Sequence, residues 1–278
     1  MVKAARRPYI FTMDFITQHE GALRLGIFAG LLVLFIALET VLPKKRRVMP
    51  RARRWITNIA IVGIDTLLVR VLFPVVAVGI AIWASAKGWG LFNLLDMSLW
   101  LSIPACIIAL DFLIYIQHRI FHRVPLFWAM HKVHHTDRDL DVTSALRFHP
   151  AEIVVSMIYK FACVILLGAP AAAVIIFEIL LNGCAMFNHA NLRLPKWLDK
   201  TLRLVLVTPD MHRVHHSAIE RETNSNYGFC LPWWDRLLGT YNADPANGHD
   251  GMVVGLSEHQ NDAPAKLGFS LALPFRRG

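Results

Sequence analysis

The sequence predicts an all-α fold, a multi-pass membrane helical bundle of about three spans plus a helical hairpin, with a cytoplasmic cap that carries clustered histidines. Its 278 residues are 55% hydrophobic, with a mean hydropathy of +0.44. That composition is far more apolar than an ordinary soluble domain. Ten of the thirteen histidines lie between His118 and His216. The chain therefore combines membrane spans with one region that is rich in imidazole.

Two spans are predicted in the N-terminal part. Residues 25–42 form an apolar run just long enough to cross about 30 Å of hydrocarbon. Residues 56–83 form a longer run that polar residues and a proline interrupt, which predicts a tilted or kinked second span. We expect Asp65 and Arg70 to pair or to face other helices. Residues 1–20 contain acidic residues and no clear cleavage site, so they are not a convincing signal peptide.

A basic loop follows the first span. Seven lysine and arginine residues lie between Lys44 and Arg54, and such residues are enriched in cytoplasmic loops. Residues 84–98 then form a loop on the outside, and residues 99–116 form the third span. This span returns the chain to the cytoplasmic side, where we expect residues 137–141 to form a surface turn.

The hairpin and the cap complete the predicted bundle. Residues 153–167 and 171–187 are two short apolar runs separated by Gly168-Ala169-Pro170, which is a turn signal. The hairpin must return to its starting side, because the last histidine cluster has to meet the first two. Each arm is short, and the sequence leaves open whether the hairpin crosses the membrane fully or only in part. From residue 192 the chain is mostly polar, which indicates a cap, and after Asn242 we expect loose order.

Three histidine clusters point to bound metal. The first pairs His118 with His122, a spacing that places both imidazoles on one face of a helix. The other two clusters repeat this spacing and add an adjacent histidine about 100° away, so one helix can serve two neighbouring points. These clusters contain His131, His134 and His135, and His212, His215 and His216. Eight imidazoles in this pattern predict two metal ions.

Other interpretations fit the clusters less well. One interpretation is that all eight are ordinary core histidines whose hydrogen bonds are satisfied. We reject it, because so many buried titratable rings would rarely all find partners, and burying them without partners is costly. A structural zinc finger would use cysteine, and a hydrolytic zinc site of the helical His-Glu-x-x-His type is absent. A haem cytochrome would place isolated histidines on separate spans. A metal-binding or metal-transport protein without catalytic activity remains the alternative, although it would place ligands in the middle of spans rather than at their ends.

The motifs around the third cluster carry a family resemblance. The sequence reads Thr208-Pro-Asp-Met-His-Arg-Val-His-His-Ser217, followed by Asn226-Tyr-Gly228 and Trp234-Asp-Arg-Leu-Leu-Gly-Thr-Tyr241. Together with the other clusters, it resembles the histidine boxes of the fatty acid hydroxylase and sterol desaturase superfamily of integral membrane proteins. The resemblance covers about residues 100 to 242, looks like the bacterial sterol desaturase-like branch, and extends to alkylglycerol monooxygenases.

This resemblance implies a ligand set and supporting residues. The metals would be two iron ions, and His189, at the end of the hairpin, would be the ninth ligand. The predicted ligands are His118, His122, His131, His134, His135, His189, His212, His215 and His216. His149 would support a ligand or contact substrate. Independently of the resemblance, Asp111 lies seven residues before His118 and so on the same helix face, where we expect it either to accept a hydrogen bond from a ligating imidazole or to cap an unrelated group.

The resemblance also implies a domain division and an activity. Residues 1–98 would be an N-terminal membrane region with two spans, residues 99–242 a fatty acid hydroxylase-like catalytic domain, and residues 243–278 a C-terminal tail. The expected protein is a membrane di-iron oxygenase that uses O2 and external electrons to hydroxylate or desaturate a lipid C–H bond. Fatty acyl chains, sterols or hopanoids, carotenoids and ether lipids all fit as substrates.

The expected partners follow from charge and from missing motifs. The net charge of +9 is explained by anionic lipid or an acidic partner rather than by nucleic acid, because the basic residues flank spans or interleave the clustered histidines. No motif for NAD, flavin or haem is recognisable, so electrons would come from a ferredoxin, a cytochrome b5-like protein or a reduced pterin. The predicted docking residues are Arg119, Arg123, Lys132, Arg138 and Arg213.

Overall fold

The computed structural model describes residues 19–95 and 97–276, and these residues are mainly helical, with two isolated β-bridges and no strand. In chain order, the helices are α1 (Glu20–Val41), α2 (Arg51–Leu72), α3 (Ala77–Ala86), α4 (Leu91–Leu94), α5 (Leu99–Arg123), α6 (Pro125–His135), α7 (Pro150–Leu167), α8 (Ala171–His189), α9 (Lys196–Leu202), α10 (Pro209–His215), α11 (Glu220–Thr223), α12 (Trp233–Leu237), α13 (Gly248–Gly251) and α14 (Leu267–Ala272). The predicted all-α fold is confirmed.

Five segments of the described chain are long and apolar enough to cross a membrane. They are α1, the segment Arg51–Leu94, α5, α7 and α8. The predicted kink in the second span is confirmed, because α2 ends at Leu72 and α3 begins at Ala77. Pro74 lies in this break and has no amide hydrogen to donate. The two arms of the hairpin have 18 and 19 residues, so each is long enough to cross.

The ends of these spans gather on one side of the bundle. The amide of Lys44, just after α1, donates to the carbonyl of Asn191, just after α8, at 3.1 Å. α5 runs almost directly into α6, and the first turn of α7 carries Glu152, which reaches His131 on α6 at 2.7 Å. All the clustered histidines therefore belong to the same end of the bundle.

The opposite end is closed by a tight approach of two glycines. Gly168 ends α7 in the left-handed region with a φ of 62°, as the predicted turn requires. A Cβ atom added to Gly90 would lie only 2.0 Å from the backbone nitrogen of Gly168. The tip of the hairpin consequently packs against the loop that precedes α4.

Residues 137–141 do not form the expected surface turn. Asp137, Asp139 and Asp141 are 3%, 8% and 0% exposed, and the first and last of them bind Arg54. The Arg54 guanidinium donates to Asp137 at 2.5 and 2.7 Å and to Asp141 at 2.6 Å. A buried guanidinium needs such carboxylates because an unpaired buried charge is strongly destabilising. This part of the basic loop therefore stabilises the fold rather than facing lipid.

The expectation of a loosely ordered tail is also wrong. Met252, Val254 and Leu256 are buried, and the amide of Gly255 donates to the carbonyl of His216 at 3.0 Å. Lys45 from the basic loop donates to the carbonyl of Met252 at 3.1 Å. The segment after residue 242 thus covers the histidine-bearing end of the bundle.

Candidate metal centre

Nine histidines form two adjacent groups at this end of the bundle. Within each group, one ring nitrogen from every histidine lies within 4.8 Å of the others. The first group contains His118, His122, His131, His135 and His215, and the second contains His134, His189, His212 and His216. The two groups together contain the same nine residues that the sequence analysis proposed as ligands.

Helical geometry divides the clusters between the two groups. His118 and His122 are one turn apart on α5 and serve the first group. On α6, His134 and His135 point to different groups, because neighbouring residues on a helix differ by about 100° in direction. His215 and His216, at the end of α10, divide in the same way. His189 reaches the second group from the last residue of α8.

The ring nitrogens that face each other have few protein partners. The Nε2 atoms of His118 and His131 are 3.2 Å apart, and Nε2 of His189 lies 3.1 Å from Nε2 of His134. Four further Nε2 atoms of the two groups are buried and have no hydrogen-bond partner among the described residues; they belong to His122, His135, His215 and His216. Such unpaired polar atoms are costly unless something binds them. Each group therefore fits a nitrogen-bound metal ion.

Several of these imidazoles are oriented through Nδ1. For five of them Nδ1 lies within hydrogen-bonding distance of an oxygen atom: the Tyr227 carbonyl for His118 (2.8 Å), the Glu152 carboxylate for His131 (2.7 Å), the Arg147 carbonyl for His134 (3.3 Å), the Ala185 carbonyl for His189 (2.7 Å) and the Ser225 carbonyl for His215 (2.7 Å). When Nδ1 donates its hydrogen, the lone pair is on Nε2, which is the nitrogen directed into the group.

Burial keeps the imidazoles of α6 and α10 neutral. Desolvation lowers the pKa of His131 to about 3, because a charged ring loses its hydration inside the protein. The pKa values of His135 and His215 fall well below 6.5 for the same reason, and neighbouring histidines add repulsion. Neutral imidazole is the form that binds a metal ion, so the site needs no proton loss at neutral pH.

Two buried carboxylates hold the loop that supports His118. Asp235 accepts hydrogen bonds from the amides of Tyr227 and Gly228, each at 2.8 Å. Asp111 accepts from Nε1 of Trp234 at 2.8 Å and from two amides of the same loop. Asp111 therefore caps this loop and does not accept from a clustered imidazole.

His149 caps a helix, and its ring nitrogens do not contact a clustered imidazole. Its Nδ1 accepts from the amide of Ala151 at 3.1 Å and caps the start of α7, while Nε2 lies 3.2 Å from the carbonyl of Leu271. Glu152 and Arg147, on either side of His149, provide the oxygen atoms next to Nδ1 of His131 and His134, and neither role was predicted from the sequence. Their location beside a histidine in a region of family resemblance was the available signal.

A cavity of about 290 Å³ opens between the spans and reaches the first histidine group. His118 and His131 line it, together with apolar side chains from α1, α2, α5, α7 and α8. Asp65 and Glu152 also line it, and each has one carboxylate oxygen without a hydrogen-bond partner among the described residues. Asp65 faces other helices as expected, but it does not pair with Arg70, which is exposed.

Comparison with known sequences agrees with this geometry. Residues 103–240 match the sequence profile of the fatty acid hydroxylase family, and this region contains all nine clustered histidines. The chain belongs to the fatty acid hydroxylase family. Membership and the five apolar helices together identify an integral membrane protein.

Three members of this superfamily illustrate the similarity. An ornithine lipid hydroxylase of Rhizobium tropici is 32% identical over 135 residues, which are 49% of this chain and 40% of the relative. Human alkylglycerol monooxygenase is 31% identical over 192 residues, 68% of this chain and 40% of the relative. A cholesterol 25-hydroxylase-like protein of Danio rerio is 30% identical over 142 residues, 50% of this chain and 55% of the relative. The matches cover less than two thirds of each relative. No solved structure matches the chain.

Proposed function

We propose that the protein is a membrane di-iron oxygenase that hydroxylates a C–H bond of a lipid, using O2 and electrons from an external donor. One observation carries the proposal: an apolar cavity between membrane spans ends at two of the clustered histidines, His118 and His131. The related proteins support it, because their names describe hydroxylation or monooxygenation of ornithine lipid, alkylglycerol and cholesterol. Residues 99–242 are the proposed catalytic domain.

All nine clustered histidines would hold the metal, with five around one ion and four around the other. Imidazole nitrogen suits iron, and the Nε2 atoms are already directed into each group. Bound iron would supply the oxidising power that an unactivated C–H bond requires. The acceptors at Nδ1 keep five of these rings in place and raise their basicity toward a metal.

The cavity would select and position the lipid. Val62, Ile114 and Leu181 present apolar surface from three different spans, so an alkyl chain can enter and water is excluded. His118 and His131 line the same space, and the oxidised carbon would therefore be held beside the first group. The carboxyl groups of Asp65 and Glu152 offer hydrogen-bond acceptors to a polar group of the substrate or to the new hydroxyl.

Electrons would arrive at the end of the bundle that carries the histidines. Arg123 is exposed there, and Arg119 and Lys132 are partly exposed. Arg213, which the sequence analysis included in this docking surface, is only 1% exposed and is removed from it. We place this end of the bundle in the cytoplasm, because the loop after α1 carries four consecutive basic residues, Lys44 to Arg47, and such residues are enriched in cytoplasmic loops.

The proposal is tested by lipid mass spectrometry and by metal analysis of the purified chain. We compare the wild type with His135→Ala, which removes a member of the first group, and with His259→Ala, which removes a histidine outside both groups. Wild type and His259→Ala should contain iron and add one oxygen atom to a membrane lipid, and His135→Ala should do neither.

Three outcomes would change the proposal. Loss of a pair of hydrogens from the lipid, without gain of oxygen, would make the protein a desaturase. Iron binding without any lipid product under reducing conditions would favour the metal-binding alternative. Equal product from His135→Ala and wild type would show that the first group is not the reaction site.

A further inference from the structure

A second cavity, of about 450 Å³, lies between the basic loop after α1, the end of α8 and the C-terminal segment. It shares no lining residue with the cavity that reaches His118. Six cationic side chains line it, against two carboxylates. The cations are Lys44, Lys45, Arg46, Arg138, Arg193 and Arg213, and the carboxylates are Asp139 and Asp250.

Arg213 is the buried member of this cationic set. Its side chain is 1% exposed, Nη1 donates to Asp210, and Nη2 is buried with no hydrogen-bond partner among the residues that the structure describes. A guanidinium carries five N–H donors, and leaving one buried and unpaired is costly. The Nε atom of Arg138, also on this cavity, is buried and unpartnered in the same way. Each of these two side chains therefore keeps one buried donor nitrogen without an acceptor among the described residues.

The nearby carboxylates do not supply that acceptor. Asp139 accepts from the backbone amides of Val48 and Met49, both at 3.0 Å. Asp210 is shared between Arg213 and Lys44, whose Nζ donates to it at 2.7 Å. The cavity consequently keeps an excess of positive charge and unpaired donors, and what it lacks is an anion.

We propose that this cavity binds a phosphate group, carried either by free phosphate or by the headgroup of an anionic lipid. Phosphate offers more charge and more acceptor oxygens than a single carboxylate, and the planar guanidinium matches its geometry. The cavity lies where α1 and α8 end, which is the level of lipid headgroups. Arg213 stands between His212 and His215 on α10, so a bound phosphate stabilises the helix that carries the third cluster.

The test measures binding to the purified full-length chain by isothermal titration, with inorganic phosphate and with short-chain phosphatidic acid as probes and short-chain phosphatidylcholine as the blank. The principal variant is the double change Arg46→Ala and Arg193→Ala. Both side chains are exposed, so the fold does not depend on their burial. The matched control, Lys196→Ala with Lys200→Ala, removes the same charge from exposed positions on α9.

We expect saturable binding to the wild type and a dissociation constant about tenfold higher in the principal variant, a change typical of losing charged contacts to phosphate. The control should change it by less than about twofold. Binding of inorganic phosphate identifies a free anion as sufficient, and binding of phosphatidic acid alone identifies the lipid headgroup. No saturable binding, or equal binding in both double variants, overturns the proposal. Iron content is measured in parallel and should be equal in all three proteins, which separates this site from the proposed oxygenase activity.

Discussion

Glu152 accepts a hydrogen bond from His131 at 2.7 Å, between Oε1 and Nδ1, and both residues are only 3% exposed. This contact joins the first turn of α7 to α6. A carboxylate behind an imidazole fixes the ring and increases the electron density on its other nitrogen. Glu152, at the start of the hairpin, therefore influences both the orientation and the basicity of an imidazole in the first histidine group.

Replacing Glu152 with Gln should weaken metal binding. The amide keeps the size of the side chain but loses the negative charge, and loss of such a partner lowers metal affinity or activity by about 10- to 100-fold. Iron per chain at limiting free iron, measured on the purified protein, checks this. Glu220→Gln is the matched control, since Glu220 is exposed on α11. Wild-type iron affinity in Glu152→Gln would mean that the contact has no role in metal binding.

Every histidine of the first group should be needed for metal binding and for turnover. His118, His135 and His215 come from three different helices but share the first group. Changing any one of them to alanine should lower bound metal and abolish turnover, while the protein still inserts in the membrane. Metal analysis, lipid turnover and membrane fractionation measure the three properties. Full activity in two of these three variants would contradict the assignment.

Arg54→Met should destabilise the folded protein. Arg54 is 1% exposed and lies between Asp137 and Asp141, so removing its charge leaves two buried carboxylates uncompensated. Breaking a buried ion pair in this way costs about 3–5 kcal/mol. Thermal unfolding in detergent measures the loss. The neighbouring change Arg53→Met is the control, because the Arg53 side chain is 65% exposed and its ion pair is a surface one. Equal midpoints for the two variants would contradict this account.

Local patterns made the spans and the histidines predictable from the sequence. An apolar run and a repeat of three and four residues act within one helix, so they are visible without tertiary structure. The cluster around Arg54 was not predictable, because its partner Asp137 is 83 residues away and acidic runs usually face solvent. The order of the C-terminal segment was missed for a related reason. The alternation of Met252, Val254 and Leu256 indicates burial only when the surface that covers them is known.

The orientation of the protein in the membrane is tested by cysteine labelling on intact cells with a maleimide that does not cross membranes. Ser257→Cys, in the exposed part of the cap, should stay unlabelled until the cells are lysed, and Lys87→Cys, in the loop at the opposite end, should react at once. The unsubstituted chain measures the background from the four native cysteines. Labelling of Ser257→Cys from outside would reverse the proposed orientation.

The last prediction concerns the electron donor. Arg119 and Arg123 are one turn apart on the last part of α5 and present positive charge on one face. The charges of both arginines act on the side chain of Tyr227, whose carbonyl accepts from His118 at 2.8 Å. An acidic donor protein that docks on these arginines would come close to the first histidine group. We therefore expect Arg123→Glu to slow turnover driven by reduced ferredoxin and leave the iron content unchanged.

Ionic strength separates a docked protein from a small-molecule donor. Attraction between exposed charges is screened over about 8 to 10 Å at physiological salt, so turnover driven by ferredoxin should fall as salt rises, and the fall should be smaller in Arg123→Glu. Lys200→Glu, an equal charge reversal at an exposed site on α9, should behave like the wild type. The measurement uses enzyme in nanodiscs, supplied separately with reduced ferredoxin and with reduced pterin. Turnover with pterin alone, unaffected by salt, would exclude the protein donor and leave the arginines to bind lipid headgroups.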